Sequence, residues 1–178
     1  MEPSDSALAV TSMFTITILY DEKPSIQAIA RDSDYIRYGT VTLIAGMNLI
    51  TGEVIPLVRE IHKSSDFFDF LKLVEERYSD VENIRIVLDN LETHTSKQVM
   101  EYLNARPGKY SFVFTPKYGP WMNIIESFFG KMSMAMLREV RVNSKEELVD
   151  RIHQYIDQVN EDPIIYRWAY KMVKWKSD

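Results

Sequence analysis

Three acidic residues stand where secondary-structure elements are predicted to begin or end. Asp21 falls near the end of the β-branched, apolar segment Thr15–Lys23, and Asp89 directly follows the apolar run Ile84–Leu88. Glu126 lies 37 positions after Asp89, in a predicted helix. Ligands of α/β sheets gather outside the carboxyl ends of parallel strands. If the two strands are parallel neighbours, the three carboxylates converge at one edge of the sheet.

Three converging carboxylates would repel one another, and without a counter-ion at least one of them would take up a proton. A pair of Mg²⁺ ions removes this conflict, because hard cations prefer oxygen ligands. Two such ions about 3.5 to 4 Å apart activate water or a hydroxyl group and stabilise the leaving oxygen in a phosphodiester displacement. We therefore predict that Asp21, Asp89 and Glu126 are metal ligands and catalytic residues.

Each of these acids also has a simpler interpretation. An aspartate after a strand is more often a turn or helix cap, and an isolated helical glutamate is more often solvated. Asp21 could pair with Lys23. A glycosidase that uses two carboxylates is a further alternative, but that chemistry needs no third acid. The joint spacing of the three acids favours the metal site.

The remaining pattern predicts elements that could position these acids. Two apolar runs joined around Asn48–Gly52 indicate a hairpin, and β-branched or aromatic runs indicate further strands. Apolar residues at helical spacing follow a serine cap before Phe67, a capping box at Thr95–Gln98 and a second box at Ser144–Glu147. A helix is predicted to begin near Met122. This order predicts an α/β fold with a mixed five-stranded sheet and helices on both faces.

Composition limits the classes of protein and site. The chain has 178 residues, 46% of them hydrophobic, which suits a single domain. It contains no cysteine, which excludes disulfides, thiolate metal sites and cysteine nucleophiles. No apolar run is long enough for a membrane helix, and the N-terminus lacks the basic region of a signal peptide. A cytoplasmic protein is the expectation.

The net charge of −5 is unevenly distributed. Residues 53–92 contain ten acids and five bases, whereas residues 164–178 contain four bases and one acid. A polyanionic partner is therefore expected to bind the C-terminal half. The lysines predicted to contact such a partner are Lys117, Lys131, Lys171, Lys174 and Lys176.

Several blocks resemble a known family. The blocks are YDEK at Tyr20–Lys23, VLDNLETH at Val87–His94 and TPKYGPWMNIIESFF at Thr115–Phe129. Together they are similar to the D…D…E blocks of insertion-sequence transposases in the Tc/mariner superfamily. The segments YIRYGTVTLIAGMNLITGEV and NEDPIIYRW are also similar to the bacterial branch, so the resemblance runs from about Tyr20 to Trp168.

The resemblance implies a ribonuclease H-like fold and Mg²⁺-dependent cleavage at transposon ends, followed by joining of the 3′-hydroxyl to target DNA. Two Mg²⁺ ions are expected, with Mn²⁺ as a substitute. Double-stranded DNA is the expected partner, a homodimer the expected active complex, and the prokaryotic nucleoid the expected location. Asn90, His94 and Asn123 fall on positions of the family pattern and are expected to support Asp21, Asp89 and Glu126.

The chain departs from the family pattern in two ways. Gly119 and Met122 replace the serine and leucine that often occupy the last block, and both changes leave the carboxylates in place. The family also carries helix-turn-helix modules ahead of its catalytic domain, whereas only 19 residues precede Tyr20. We therefore expect residues 1–178 to form one catalytic domain without that module. The alternative is a catalytically idle ribonuclease H-like module that binds DNA or protein.

Overall fold

The computed structural model describes residues 15–31, 35–63, 65–89, 96–115, 122–138 and 141–165. These residues form five strands, four α-helices and one π-helical segment that continues the third helix, Ser133–Leu137. The strands are β1 (Thr15–Arg31), β2 (Tyr35–Asn48), β3 (Val54–Arg59), β4 (Asn83–Leu88) and β5 (Tyr110–Phe114). The helices are α1 (Asp66–Arg77), α2 (Lys97–Asn104), α3 (Met122–Met132) and α4 (Lys145–Glu161).

The five strands form one mixed sheet in the order β3-β2-β1-β4-β5. Strand β2 is the antiparallel neighbour of both β1 and β3, and a short turn connects β2 to β3. Asn48 organises this turn, since its side-chain Oδ1 accepts a hydrogen bond from the Ile50 N–H at 2.9 Å. Strands β4 and β5 run parallel to β1, each entered after a helix. The predicted α/β mixed sheet is confirmed.

Helices cover both faces of the sheet, and each face has its own core. Successive residues of a strand point to opposite faces. On one face the helices α1 and α2 pack over residues such as Ile18, Phe67 and Phe70. On the other face α3 and α4 pack over residues such as Leu19 and Val87. We refer to this second side as the α3/α4 face.

The first strand differs from its prediction. It was expected to end near Lys23, but β1 continues to Arg31, paired with β2 as far as Tyr35. The register of this pair shifts between Lys23 and Ile26, where Ser25 has a positive φ of 58°. Asp21 therefore lies within β1 rather than at its end, and the predicted strand boundary is wrong. The cause is the long antiparallel partner β2, which continues the ladder past Pro24.

Two of the predicted helix caps also differ in detail. Ser65 precedes α1 but makes no side-chain cap, and Asp66 instead accepts a hydrogen bond from the Lys63 N–H at 2.6 Å. The cap of α2 is Ser96, whose hydroxyl oxygen accepts from the Val99 N–H. At α4 the predicted serine cap is confirmed, because Ser144 Oγ accepts from the Glu147 N–H at 3.1 Å. The Glu147 carboxylate accepts from the Asn143 N–H at 2.7 Å, one residue before the position that a capping box predicts.

Candidate active site

Asp21 and Asp89 lie at the same level of two neighbouring parallel strands. The register of β1 and β4 pairs Leu19 with Val87, and continuing it by two residues places Asp21 beside Asp89. Asp89 directly follows β4, as predicted. Although β1 itself continues, its parallel pairing with β4 stops just before Asp21. Asp21 therefore occupies the carboxyl edge of the parallel part of the sheet.

The two aspartates and Glu126 belong to the same face. Leu19 and Val87 are core residues of the α3/α4 face, and residues two positions further along a strand share that face. Helix α3 packs on this side and contacts β1. Its fully buried Ile125 fixes the helix, while the neighbouring Glu126 is exposed. The fold thus brings an acid of α3 to the face that carries the two strand acids.

The pKa of Asp21 reflects the proximity of the other acids. Burial, together with the negative charges of Asp89, Glu126 and Glu22, raises the pKa of the Asp21 carboxyl to about 6. A backbone hydrogen bond from Glu22 acts in the opposite direction. Charges several ångströms apart still influence one another in a partly buried setting. Asp89 and Glu126 are therefore electrostatic neighbours of Asp21.

The residues fit a divalent cation by donor chemistry, since all three supply oxygen ligands and their mutual repulsion would be relieved by a positive charge. In the part of the chain that the structure describes, however, no three His, Asp or Glu side chains are close enough to hold one ion. Asp89 and Glu126 are both exposed, so their side chains have room to change rotamer. The assignment of Asp21, Asp89 and Glu126 as metal ligands stays a prediction.

The alternative pairing of Asp21 with Lys23 is absent among the described ion pairs. Lys23 shares the α3/α4 face and places its Nζ 6.0 Å from the ring centroid of Phe129, a residue of α3. This geometry is a cation–π contact between β1 and α3. Lys23 is therefore directed towards α3, and no described ion pair joins it to Asp21.

A polar network supports the opposite side of β1. The Tyr20 hydroxyl donates a hydrogen bond of 2.6 Å to Glu22 Oε1, and burial together with the Glu22 charge raises the pKa of Tyr20. His62 Nδ1 lies 3.6 Å from Glu22 Oε2 and 3.5 Å from Asp66 Oδ2. Asp66 is only 2% exposed and pairs with Arg59 at 3.1 Å. Glu22 and His62 are 40 residues apart in the sequence, so no local pattern predicts this network.

The other predicted site residues divide into two groups. Asn123 lies exposed in the first turn of α3, three residues before Glu126 and thus on the same side of the helix. Lys131 lies exposed in the last turn of α3. The remaining predictions lie outside the described residues: Asn90, His94, Lys117, Lys171, Lys174 and Lys176.

Comparison with solved structures shows which folds are similar. A structure of the Mos1 transposase paired-end complex with left transposon end matches with a TM-score of 0.60 at 16% identity, covering 85% of this chain and 51% of that one. The catalytic domain of Mos1 mariner transposase matches with a TM-score of 0.59 at 14% identity, covering 85% and 74%. The predicted ribonuclease H-like fold of transposase catalytic domains is confirmed.

Sequence comparison identifies relatives. The insertion element IS630 uncharacterized 39 kDa protein of Shigella sonnei is 24% identical over 113 residues. That match covers 64% of this chain and 33% of the relative, so this chain matches about a third of the relative's length. None of the described helices is long and apolar enough to cross a membrane.

The sequence model of the DDE superfamily endonucleases matches residues 25–149, a range that begins just after Asp21 and includes Asp89 and Glu126. With most of its length matched, and with the resemblance to insertion-sequence transposases confirmed, this chain belongs to the DDE superfamily endonuclease family.

Proposed function

We propose that this chain is the catalytic domain of a transposase that cleaves phosphodiester bonds in DNA and transfers the freed strand to target DNA. The observation that carries the proposal is the electrostatic convergence of Asp89 and Glu126 on Asp21, on one face of the sheet's carboxyl edge. Among the described ion pairs none joins a base to any of these three acids, and a bound cation would relieve their mutual repulsion. Membership of a family of endonucleases is in keeping with such a ligand.

Asp21, Asp89 and Glu126 would hold two Mg²⁺ ions, for which Mn²⁺ would substitute. When bound, such ions supply an activated water or hydroxyl nucleophile and stabilise the leaving oxygen. The protein contributes rigid positions. Asp21 lies within a strand that is hydrogen-bonded on both sides up to Leu19, and Glu126 lies on a helix fixed by buried neighbours. Asn123, Asn90 and His94 would orient the carboxylates or the DNA phosphates.

The proposed substrate is duplex DNA at transposon ends and at the target site. Related folds were solved as a paired-end complex and as a strand transfer complex. Joining two ends suggests a homodimer as the active complex, which would act on the bacterial nucleoid. We assign Lys117, Lys131, Lys171, Lys174 and Lys176 to phosphate contacts, since lysine side chains neutralise phosphates without reading bases. We assign residues 1–178 to a single catalytic domain.

The test is Mg²⁺-dependent nicking of duplex DNA by the Asp89→Asn variant. This substitution keeps the shape of the side chain but removes the charge that would bind the metal. We expect the nicking rate to fall at least about 100-fold with the melting temperature little changed.

Asp80→Asn provides the matched control, because Asp80 is an exposed aspartate in the turn that follows α1, at the opposite end of β4. This variant should nick at the wild-type rate. A wild-type rate in Asp89→Asn would contradict the metal-site proposal and would favour an idle module.

A further inference from the structure

Thr115 lies beside Asp89 at the carboxyl edge of the sheet. The register of β4 and β5 pairs Leu88 with Phe114, so the next residues along the two strands are Asp89 and Thr115. The ladder continues at this point, because the Thr115 N–H donates a hydrogen bond of 3.0 Å to the Leu88 carbonyl. Asp21, Asp89 and Thr115 therefore form one row across three parallel neighbouring strands.

The Thr115 side chain belongs to the face of the carboxylates. Val113, two residues earlier, packs against the core of the α3/α4 face. Strand alternation places Thr115 on that same face, whereas Phe114 faces the other way and is 48% exposed. Side chains paired laterally on one face of a sheet have Cβ atoms about 5 Å apart. A hydrogen bond between the threonine hydroxyl and the Asp89 carboxylate is within that reach.

The hydroxyl of Thr115 is unsatisfied among the residues that the structure describes. Thr115 is 7% exposed, and no atom of the described residues forms a hydrogen bond with its Oγ1. Buried hydroxyl groups in folded proteins nearly always have a partner, because a missing partner destabilises the fold. Valine has the same shape and would avoid this penalty. A threonine at this position therefore indicates a partner that arrives when the site is assembled.

We propose that Thr115 is a positioning residue whose hydroxyl donates a hydrogen bond to the Asp89 carboxylate and holds it in the metal-binding rotamer. This inference rests on the proposed function of Asp89. A hydroxyl that donates to an ionised carboxylate forms a short, strong bond. Hydrogen bonds of this kind fix the orientation of metal-binding carboxylates. Because Thr115 is buried, Asp89 reaches its hydroxyl more readily than a DNA phosphate does.

The test compares the full chain with its Thr115→Val and Thr115→Ser variants. Mn²⁺ alone is titrated by calorimetry, and melting temperatures are measured without metal. Thr115→Val removes the hydroxyl at constant shape, so we expect the metal-free melting temperature to rise by about 2 to 4 °C. Its Mn²⁺ affinity should fall about tenfold. Thr115→Ser keeps the hydroxyl and should keep the affinity within about twofold of wild type.

Thr42→Val is the matched control. Thr42 is 8% exposed in β2, and it shares the opposite face of the sheet with Ile44. Removing the Thr42 hydroxyl in this variant should leave the Mn²⁺ affinity unchanged. If Thr115→Val proves too unstable to purify, Thr115→Ala is titrated in its place.

Two outcomes would overturn the inference. One is wild-type Mn²⁺ affinity in Thr115→Val, and the other is an equal loss in Thr115→Val and Thr115→Ser, which would indicate packing alone. Asp89→Asn, titrated alongside, separates this failure from failure of the proposed function. If Asp89→Asn loses affinity and Thr115→Val does not, only the role of Thr115 is wrong. If Asp89→Asn also binds Mn²⁺ normally, both proposals are wrong.

Discussion

At Asp21, burial and the neighbouring acids act in the same direction, against ionisation. The folded pKa of about 6 lies above the ordinary value of 3.8, so the folded chain binds this proton more tightly than the unfolded chain. The contribution of Asp21 to stability is therefore fully present below about pH 3.8 and is lost as the pH rises through about 6. At neutral pH the metal-free site is destabilised by its own charges.

Asp21→Asn should relieve this destabilisation. The pKa difference corresponds to at most about 3 kcal/mol, which solvent screening of a partly exposed carboxylate reduces to about 1 to 2 kcal/mol. We expect the free energy of unfolding of Asp21→Asn to exceed that of wild type by this amount at pH 7, and the difference to shrink toward pH 4. Urea unfolding at both pH values, without metal, measures the difference.

The same pair of proteins also reports on the metal. With a dissociation constant on the order of 1 mM, about 10 mM Mg²⁺ should stabilise wild type by about 1.4 kcal/mol, or 3 to 6 °C in melting temperature. The response of Asp21→Asn should be smaller, because one ligand has lost its charge. Equal shifts in both proteins at constant ionic strength would mean that Mg²⁺ binds elsewhere.

Among the elements, α1 and β2 approach each other more closely than a side chain between them would allow. A Cβ added at Gly46 of β2 would lie 2.4 Å from the Phe70 ring of α1 and 2.9 Å from Ile18 Cγ2. Phe70 and Ile18 are fully buried, so neither can move aside without disturbing the core. Gly46 thus sets the spacing between this helix and the sheet, next to the strand that carries Asp21.

Gly46→Ala should destabilise the fold by about 1 to 3 kcal/mol through overpacking. Gly130 of α3 provides the control, because a Cβ there would meet nothing within 4 Å. Gly130→Ala should stabilise the fold by up to about 1 kcal/mol, since alanine favours a helix over glycine. Chemical denaturation of the two variants gives both values. Equal effects of the two substitutions would show that the close packing of α1 on β2 is not required.

The free edge of β3 is closed by a side chain from α4. The Asn160 side-chain Oδ1 accepts from the Val54 N–H, and its Nδ2 donates to the Val54 carbonyl, both at 2.8 Å. Pro56, on the same edge of the strand, has no N–H to offer. At Val54 the backbone groups through which another strand would add to the sheet are therefore occupied.

Across the whole molecule, acidic and basic residues are separated along the chain. The net charge of −5 opposes general attachment to nucleic acid, while bases dominate residues 164–178. A chain that relies on phosphate contacts binds many sequences with similar affinity, and salt weakens its binding steeply.

The 178-residue chain should bind duplex DNA weakly, with little sequence preference. Replacing Lys171, Lys174 and Lys176 by alanine should weaken binding to all sequences about equally and reduce the slope of log affinity against log salt by up to about 3. Fluorescence anisotropy at several salt concentrations measures both effects. As a control, replacing Lys72, Lys97 and Lys109 by alanine removes the same number of positive charges outside the C-terminal segment. Tight, sequence-selective binding by the wild-type chain would contradict this prediction. It would mean that residues 1–178 themselves recognise the DNA sequence.

The sequence alone determined the type of each element and the identity of the candidate carboxylates. Period-two and helical apolar patterns are local properties, and burial in a sheet covered on both faces makes runs such as Ile84–Leu88 recognisable. The blocks around Asp21, Asp89 and Glu126 were sufficient for the family resemblance, because all three lie in short contiguous motifs.

Only the tertiary structure decided how far β1 extends, which cap starts α2 and which residues surround the acids. The extension to Arg31 depends on pairing with β2, a contact that local pattern does not encode. The place of Thr115 beside Asp89 depends on the register of two parallel strands, and the Glu22–His62 contact joins residues 40 positions apart. Such neighbours are set by the free energy of the packed sheet as a whole, so no single segment of sequence carries them.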